Sequence, residues 1–182
     1  IPRNRCLRRR MVKIMTGIVF SNVAIAVVPK VVQQDVIYVS ANAGPSLLAG
    51  KGCHKNYFNV AYQNDNLDEV VGKYVTEAGF KNVYLLAPNY PAGKDHLGGF
   101  KRYYQGTIAG EVYTKLGQSD YAAEIASLRA AKPDAVFFFL PGGMGINFLK
   151  QYAQAGLNQT TPVFGPAFSF DERLLQAVKD AA

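Results

Sequence analysis

The sequence predicts an α/β fold with a mostly parallel sheet, and three observations predict it. Short β-branched or aromatic runs alternate with helical patterns along most of the chain. The run "AVFFFL" at 135–140 is apolar at every position, as in a strand buried on both faces. The segments after the strands are small residues and turn formers, Gly, Pro, Ser and Asn.

Taken in order, the first strand is expected over 15–20 and the first helix over 23–34. Ser21 or Asn22 would be the N-cap, where a side-chain oxygen accepts a free N–H of the first turn. The same stretch has a second reading. Arg8, Arg9, Arg10 and Lys13 precede an apolar run, and Ala24-Ile25-Ala26 has the small-x-small form of a signal-peptidase site. Ser21 and Asn22 interrupt that run, and it falls short of the ~20 apolar residues of a membrane span. A strand follows over 36–40, ending in the turn residues Asn42, Gly44 and Pro45. Leu67, Val70, Val71, Tyr74 and Val75 recur at i, i+3, i+4, i+7 and i+8, one apolar face of a helix that Asp65 caps and Gly79 stops. The remaining strands are expected over 83–87, 107–113, 135–140 and 162–165. Helices are expected over 95–104, around Tyr121, Ile125 and Leu128 with Ser119 or Asp120 as cap, over 146–155 and over 171–178. The chain has no internal repeat or long linker.

Of 182 residues, 49% are hydrophobic and 18% charged, enough to bury a core in one domain or two small lobes. The net charge of +7 is a property of one end: Arg3, Arg5, Arg8, Arg9, Arg10 and Lys13 supply six of those charges. A basic tail without a basic face argues against nucleic-acid binding, which needs clustered cations along a surface. With Cys6, Cys53, His54 and His96 as the whole Cys and His complement, no metal cluster at usable spacing is expected, nor is a cofactor. A Cys6–Cys53 disulfide is possible in an oxidising compartment.

In a parallel α/β fold ligands bind beyond the carboxyl ends of the strands. The loops there are 20–22, 40–46, 88–93, 141–145 and 166–169; their small residues suit the approach of backbone N–H groups to an anion and offer little acid–base chemistry. That points to binding. Gly143-Met144-Gly145 lacks the third glycine of a dinucleotide loop, since Phe148 stands there. Ser46 or Cys53 as nucleophile lacks an oriented base. Asp95 and His96 read as solvent-facing, Lys94 as a surface lysine or an anion contact, and Tyr103-Tyr104 as packing.

Five stretches, "TGIVFSN", "VSANAGPSLLAGKGCHKNYFNVAYQND", "VYLLAPNYPAGKDHLGGFKRYYQG", "SDYAAEIASLRAAKPDAVFFFLPGGMGINFLKQYAQAGL" and "VFGPAFSFDE", resemble in order and spacing the solute-binding proteins of branched-chain amino acid-type ABC importers. These are type I periplasmic binding proteins. The resemblance runs from Ile14 to the C-terminus and implies two α/β lobes, parallel sheets flanked by helices, that close over a small solute and deliver it to a membrane permease. It places 14–32 well inside the mature protein as strand, ligand loop and helix, so the signal peptide is not in this chain and the location is periplasmic. It also implies a fragment: an incomplete lobe one over 1–61, with 1–13 an atypical basic tail and two identifiable strands, and a nearly complete lobe two over 62–182. A lobe so reduced is expected to be poorly stable or to associate through its exposed sheet edge.

In amino-acid-binding relatives the ligand carboxylate is held by lobe-one loops, which here match Ser21, Asn22, Ala43 and Gly44, with Ser46 nearby. The acid and tyrosine that meet the ammonium in such relatives match Ala167 and Pro141 or Gly142. Burying an ammonium without a partner is costly. The expected solute is therefore a carboxylate without an ammonium, an aromatic acid above all, with Tyr90, Ala92, Gly142, Ala167 and Phe168 on the lobe-two side. Two alternatives stand beside this reading, a ligand-sensing or receptor domain of the same fold and a flavodoxin-like enzyme.

Overall fold

The computed structural model describes residues 12–178. They fall into two compact units, one ending at Asn64 and the other beginning at Asp65. The basic tail and Cys6 lie outside the described residues. Within them, no helix is long and apolar enough to cross a membrane.

The first unit is a parallel sheet in the order β1-β2-β3, made of β1 (Ile14–Thr16), β2 (Ile37–Ser40) and β3 (Tyr57–Asn59). Helices α1 (Ser21–Val32) and α2 (Ser46–Ala49) accompany it. Ala24, Val28, Val31 and Val32 of α1 pack with Val36, Tyr38, Ala43 and Leu48 into one core. The sequence reading showed two strands here and the structure has three; β3 spans only three residues, too few for period-two alternation to register. The first strand also ends at Thr16 rather than 20, because Gly17 (φ 114°) and Ile18 (φ 63°) turn the chain out of the extended region. A β-branched residue at positive φ costs on the order of 1–3 kcal/mol and marks an over-determined turn.

The second unit has a parallel sheet in the order β5-β4-β6-β7: β4 (Asn82–Pro88), β5 (Thr107–Thr114), β6 (Ala135–Phe138) and β7 (Val163–Phe164). Its helices are α3 (Asn64–Glu77), α4 (Pro91–Tyr103), α5 (Ala122–Ala131), α6 (Gly143–Gln154) and α7 (Glu172–Val178). The apolar run at 135–140 behaves as a two-sided strand should. Ala135, Phe137 and Phe139 face a core with Val75, Leu97 and Phe100 of α3 and α4; Val136, Phe138 and Leu140 face another with Ile125, Leu128, Phe148 and Tyr152 of α5 and α6. Burial pushes the Tyr121 and Tyr152 phenols up to about 12, and Tyr152 donates its hydroxyl proton to the Thr161 carbonyl.

The apolar face read on α3 does not coincide with its buried face. Val70 and Tyr74 are exposed, while Asp68, Gly72 and Val75, at i, i+4 and i+7, are buried. The cause is a close crossing with α4. A Cβ added at Gly72 would fall 2.2 Å from the Phe100 carbonyl oxygen, and one at Gly99 would fall 2.1 Å from that of Asp65. Helices in backbone contact must turn their small residues toward each other, and that requirement overrides the hydrophobic stripe.

Helix starts also shifted. α4 begins at Pro91, with proline in its favoured first-turn place, four residues before the expected 95. α6 begins at Gly143, following Gly142 at φ 62°. Asp65 lies in the first turn of α3 rather than capping it.

Two neighbouring glycines offer a test. Gly99→Ala is expected to lower stability by about 1–3 kcal/mol through overpacking. Gly98→Ala, with nothing within 4 Å of the added carbon, is expected to leave stability unchanged or raise it by up to about 1 kcal/mol. Thermal melts of the two variants side by side would check the opposite signs.

Candidate ligand-binding site

Each unit presents its strand-end loops, and the sequence-predicted site residues divide between them. In the first unit, Ser21 is buried in the first turn of α1 and its Oγ accepts a hydrogen bond from Asn64 Nδ2 at 3.1 Å. Neither Ser21 nor Asn22 is the N-cap, as had been expected. Phe20 holds that place with no side-chain cap, because the turn at 17–18 delivers the chain to the helix one residue earlier. Asn22 is exposed. Ala43 and Gly44 are buried and Ser46 is half-buried at the start of α2. The loop they form is tightly tied: Ser40 Oγ donates to the Ala43 carbonyl, and Asn64 N donates to the Gly44 carbonyl at 2.8 Å. A Cβ at Gly44 would lie 1.9 Å from the Tyr62 carbonyl oxygen, so only glycine fits.

In the second unit, Tyr90 is buried immediately before α4, Ala92 is buried in its first turn, Gly142 is exposed before α6, Ala167 is exposed and Phe168 is half-buried. Tyr90 and Phe168 are brought together through Phe139, at the end of the apolar run. Tyr90 stacks on Phe139 with ring centroids 6.2 Å apart, and Phe168 meets it edge-on at 5.9 Å. Gly142 and Ala167, both exposed, are not part of this ring cluster.

His96 corrects the sequence reading. Expected to face solvent, it is only 2% exposed and stacks on Phe139 with centroids 3.7 Å apart, edge-on to Phe168 at 5.8 Å. Its Nδ1 bonds Oδ2 of Asp68, which is fully buried on α3. Burial raises the Asp68 carboxyl above its usual range, with the His96 hydrogen bond and charge pulling against it and Asp65 adding to it. The acid is available because the α3–α4 crossing turns Asp68 inward. Its signals in the sequence were Asp68-Gly72-Val75 at i, i+4, i+7 and His96-Phe100 at i, i+4. Beyond the pair, Arg102, itself half-exposed, bonds the buried Asp65 and the partly buried Glu69 across the same two helices. Among the described residues no group of three metal-ligating side chains is present.

With this geometry in view, the comparisons place the chain. The profile of the family described as Periplasmic binding protein matches residues 4–182, and the chain belongs to that family. A solute-binding protein of an ABC transporter from Rhodopseudomonas palustris BisB5, solved with 3,4-dihydroxybenzoic acid, is 29% identical with a TM-score of 0.89, over 98% of this chain and 50% of that one. A solute-binding protein from R. palustris solved with benzoate is 25% identical with a TM-score of 0.90, over 98% of this chain and 49% of that one. Among curated proteins, the Leu/Ile/Val-binding protein homolog 6 of Brucella melitensis is 24% identical over 176 residues, 94% of this chain and 45% of that protein. The chain thus spans about half the length of the relatives it matches. A leucine-binding protein from Thermotoga maritima, 18% identical at a TM-score of 0.79, shares the fold. The type I periplasmic-binding-protein fold expected from the sequence is the fold observed.

Gly44 carries the prediction here. Gly44→Ala is expected to displace the Tyr62 backbone and lower stability by about 1–3 kcal/mol. Ser21→Ala, which removes only the acceptor of one buried hydrogen bond, is expected to cost about 1 kcal/mol. Denaturant titration of both variants would rank them.

Proposed function

We propose that this protein is the solute-binding component of an ABC importer and takes a small carboxylate, an aromatic acid in preference to a free amino acid. The two units would be the two lobes of the binding protein, with a membrane permease as partner and the periplasm as the place of work. The protein would act by holding and releasing its solute rather than by turnover.

The observation that carries the ligand class is the character of the second unit's strand ends. Tyr90, Phe139 and Phe168 supply a cluster of aromatic side chains, and by the resemblance the places where amino-acid-binding relatives keep an ammonium partner match Ala167 and Pro141 or Gly142. A carboxylate does lie behind the rings, but Asp68 Oδ2 is engaged by His96 and Oδ1 is sealed from solvent. An α-ammonium brought there would lose its hydration without gaining a partner, at a cost of several kcal/mol. An aromatic ring stacked on such a wall gains both apolar burial and ring–ring attraction. The first unit's loops, with buried Ala43 and Gly44, suit an anionic group through main-chain N–H donors. The relatives solved with benzoate and with 3,4-dihydroxybenzoic acid support the same class.

Isothermal titration of the purified protein should show binding of benzoate or a hydroxybenzoate and none of leucine, isoleucine or valine. Leucine binding with no response to aromatic acids would overturn the reading.

A further inference from the structure

Two strand-end segments of the first unit are bonded to one residue. β1 and β2 are parallel neighbours in the sheet, so the segments that follow them, with Ser21 and Gly44, start from the same edge of it. Asn64, where the chain enters α3, bonds to both. Its side-chain Nδ2 donates to Ser21 Oγ at 3.1 Å, and its main-chain N donates to the Gly44 carbonyl at 2.8 Å. The chain that leads up to it is fixed as well: Asn59 Nδ2 donates to the Tyr62 carbonyl at 2.7 Å, the same carbonyl that leaves no room for a Cβ at Gly44. Asn64 and Ser21 are each only 3% exposed, so water does not compete for the bond between them.

The bond also decides what the Ser21 hydroxyl can do. A hydroxyl has one proton to donate and two acceptor positions. Asn64 occupies an acceptor position, and among the described residues no acceptor takes the proton. A buried donor without a protein acceptor calls for an explanation.

We propose that Asn64 is a positioning residue of the solute site: by bonding the Ser21 and Gly44 segments at once, it fixes the spacing at which they hold one carboxylate and leaves the Ser21 proton for that carboxylate. The inference rests on the carboxylate part of the reading above and not on its aromatic part. Asn64 acts through Ser21 and does not touch the solute. Donors held in place beforehand avoid the ordering cost that loose ones incur on binding.

The test is calorimetric titration of the purified protein with benzoate, and with leucine where benzoate does not bind, since both carry the carboxylate. Asn64→Ala should weaken binding of that acid about tenfold, one buried hydrogen bond, at a temperature where a thermal melt shows the variant folded. In a Ser21→Ala background the same substitution should cost less than about twofold more, because two residues that act through one bond are not additive. A merely structural role would lower the melting temperature and leave the affinity of the folded protein unchanged. NMR of the wild type gives a second readout: the Asn64 side-chain amide resonances should shift when the acid is added, because a hydroxyl that donates to an anion becomes a stronger acceptor. Unchanged affinity in Asn64→Ala, equal losses in the two backgrounds, or amide resonances indifferent to the bound acid overturns the role of Asn64 while leaving the carboxylate reading intact. Binding of neither benzoate nor leucine overturns both. If Asn64→Ala fails to fold, the NMR shift decides.

Discussion

Two backbones in contact govern the second unit. At the α3–α4 crossing, Gly72 lies against the Phe100 carbonyl and Gly99 against that of Asp65, so close that neither position admits a Cβ. A helix pair held at that distance has no freedom to choose its inward face by hydrophobicity. Gly72 must point at α4, which brings in the residues one turn either side of it, Asp68 and Val75, and sends Val70 and Tyr74 to the surface. The buried acid that results would be intolerable alone, and His96 on the facing helix is its partner. The polar pair is therefore a consequence of the crossing as much as of any requirement at the site.

The same logic of close approach shapes the first unit. Gly44 abuts the Tyr62 carbonyl, and the chain between β1 and α1 passes through two positive-φ residues, one of them a β-branched isoleucine. Tyr38 stacks on Tyr57 and donates its hydroxyl proton to the Gly17 carbonyl at 2.6 Å, tying that turn to the sheet. Strain of this kind survives only where surrounding packing over-determines the backbone, and it falls here on a loop at the carboxyl end of a parallel sheet. Other positive-φ residues, Asp35 and Lys132, lie on the opposite side, in the turns that lead into β2 and β6.

The two units differ in what their strand ends present. In the first unit these are main-chain groups on small residues. In the second they are stacked rings backed by one hydrogen-bonded pair in which a carboxylate faces a histidine instead of the solvent. An acid that is already committed to an imidazole is poorly placed to greet a cation.

The sequence by itself determined the fold class. An apolar run at 135–140 with alternate residues facing two cores, helical patterns between strands, and five stretches resembling one family were all legible, because period and composition survive without tertiary information. It also located the strand-end segments that hold Ser21, Gly44, Tyr90 and Phe168. Tertiary structure alone decided which face of α3 is inside, where α4 begins and that His96 is buried. These depend on how near two helices approach, a distance set by glycines whose effect is felt by residues far away in the chain. A lone histidine between an aspartate and a leucine carries no sign of the phenylalanine it will stack on, since that contact joins positions 43 residues apart that only the closed sheet brings together.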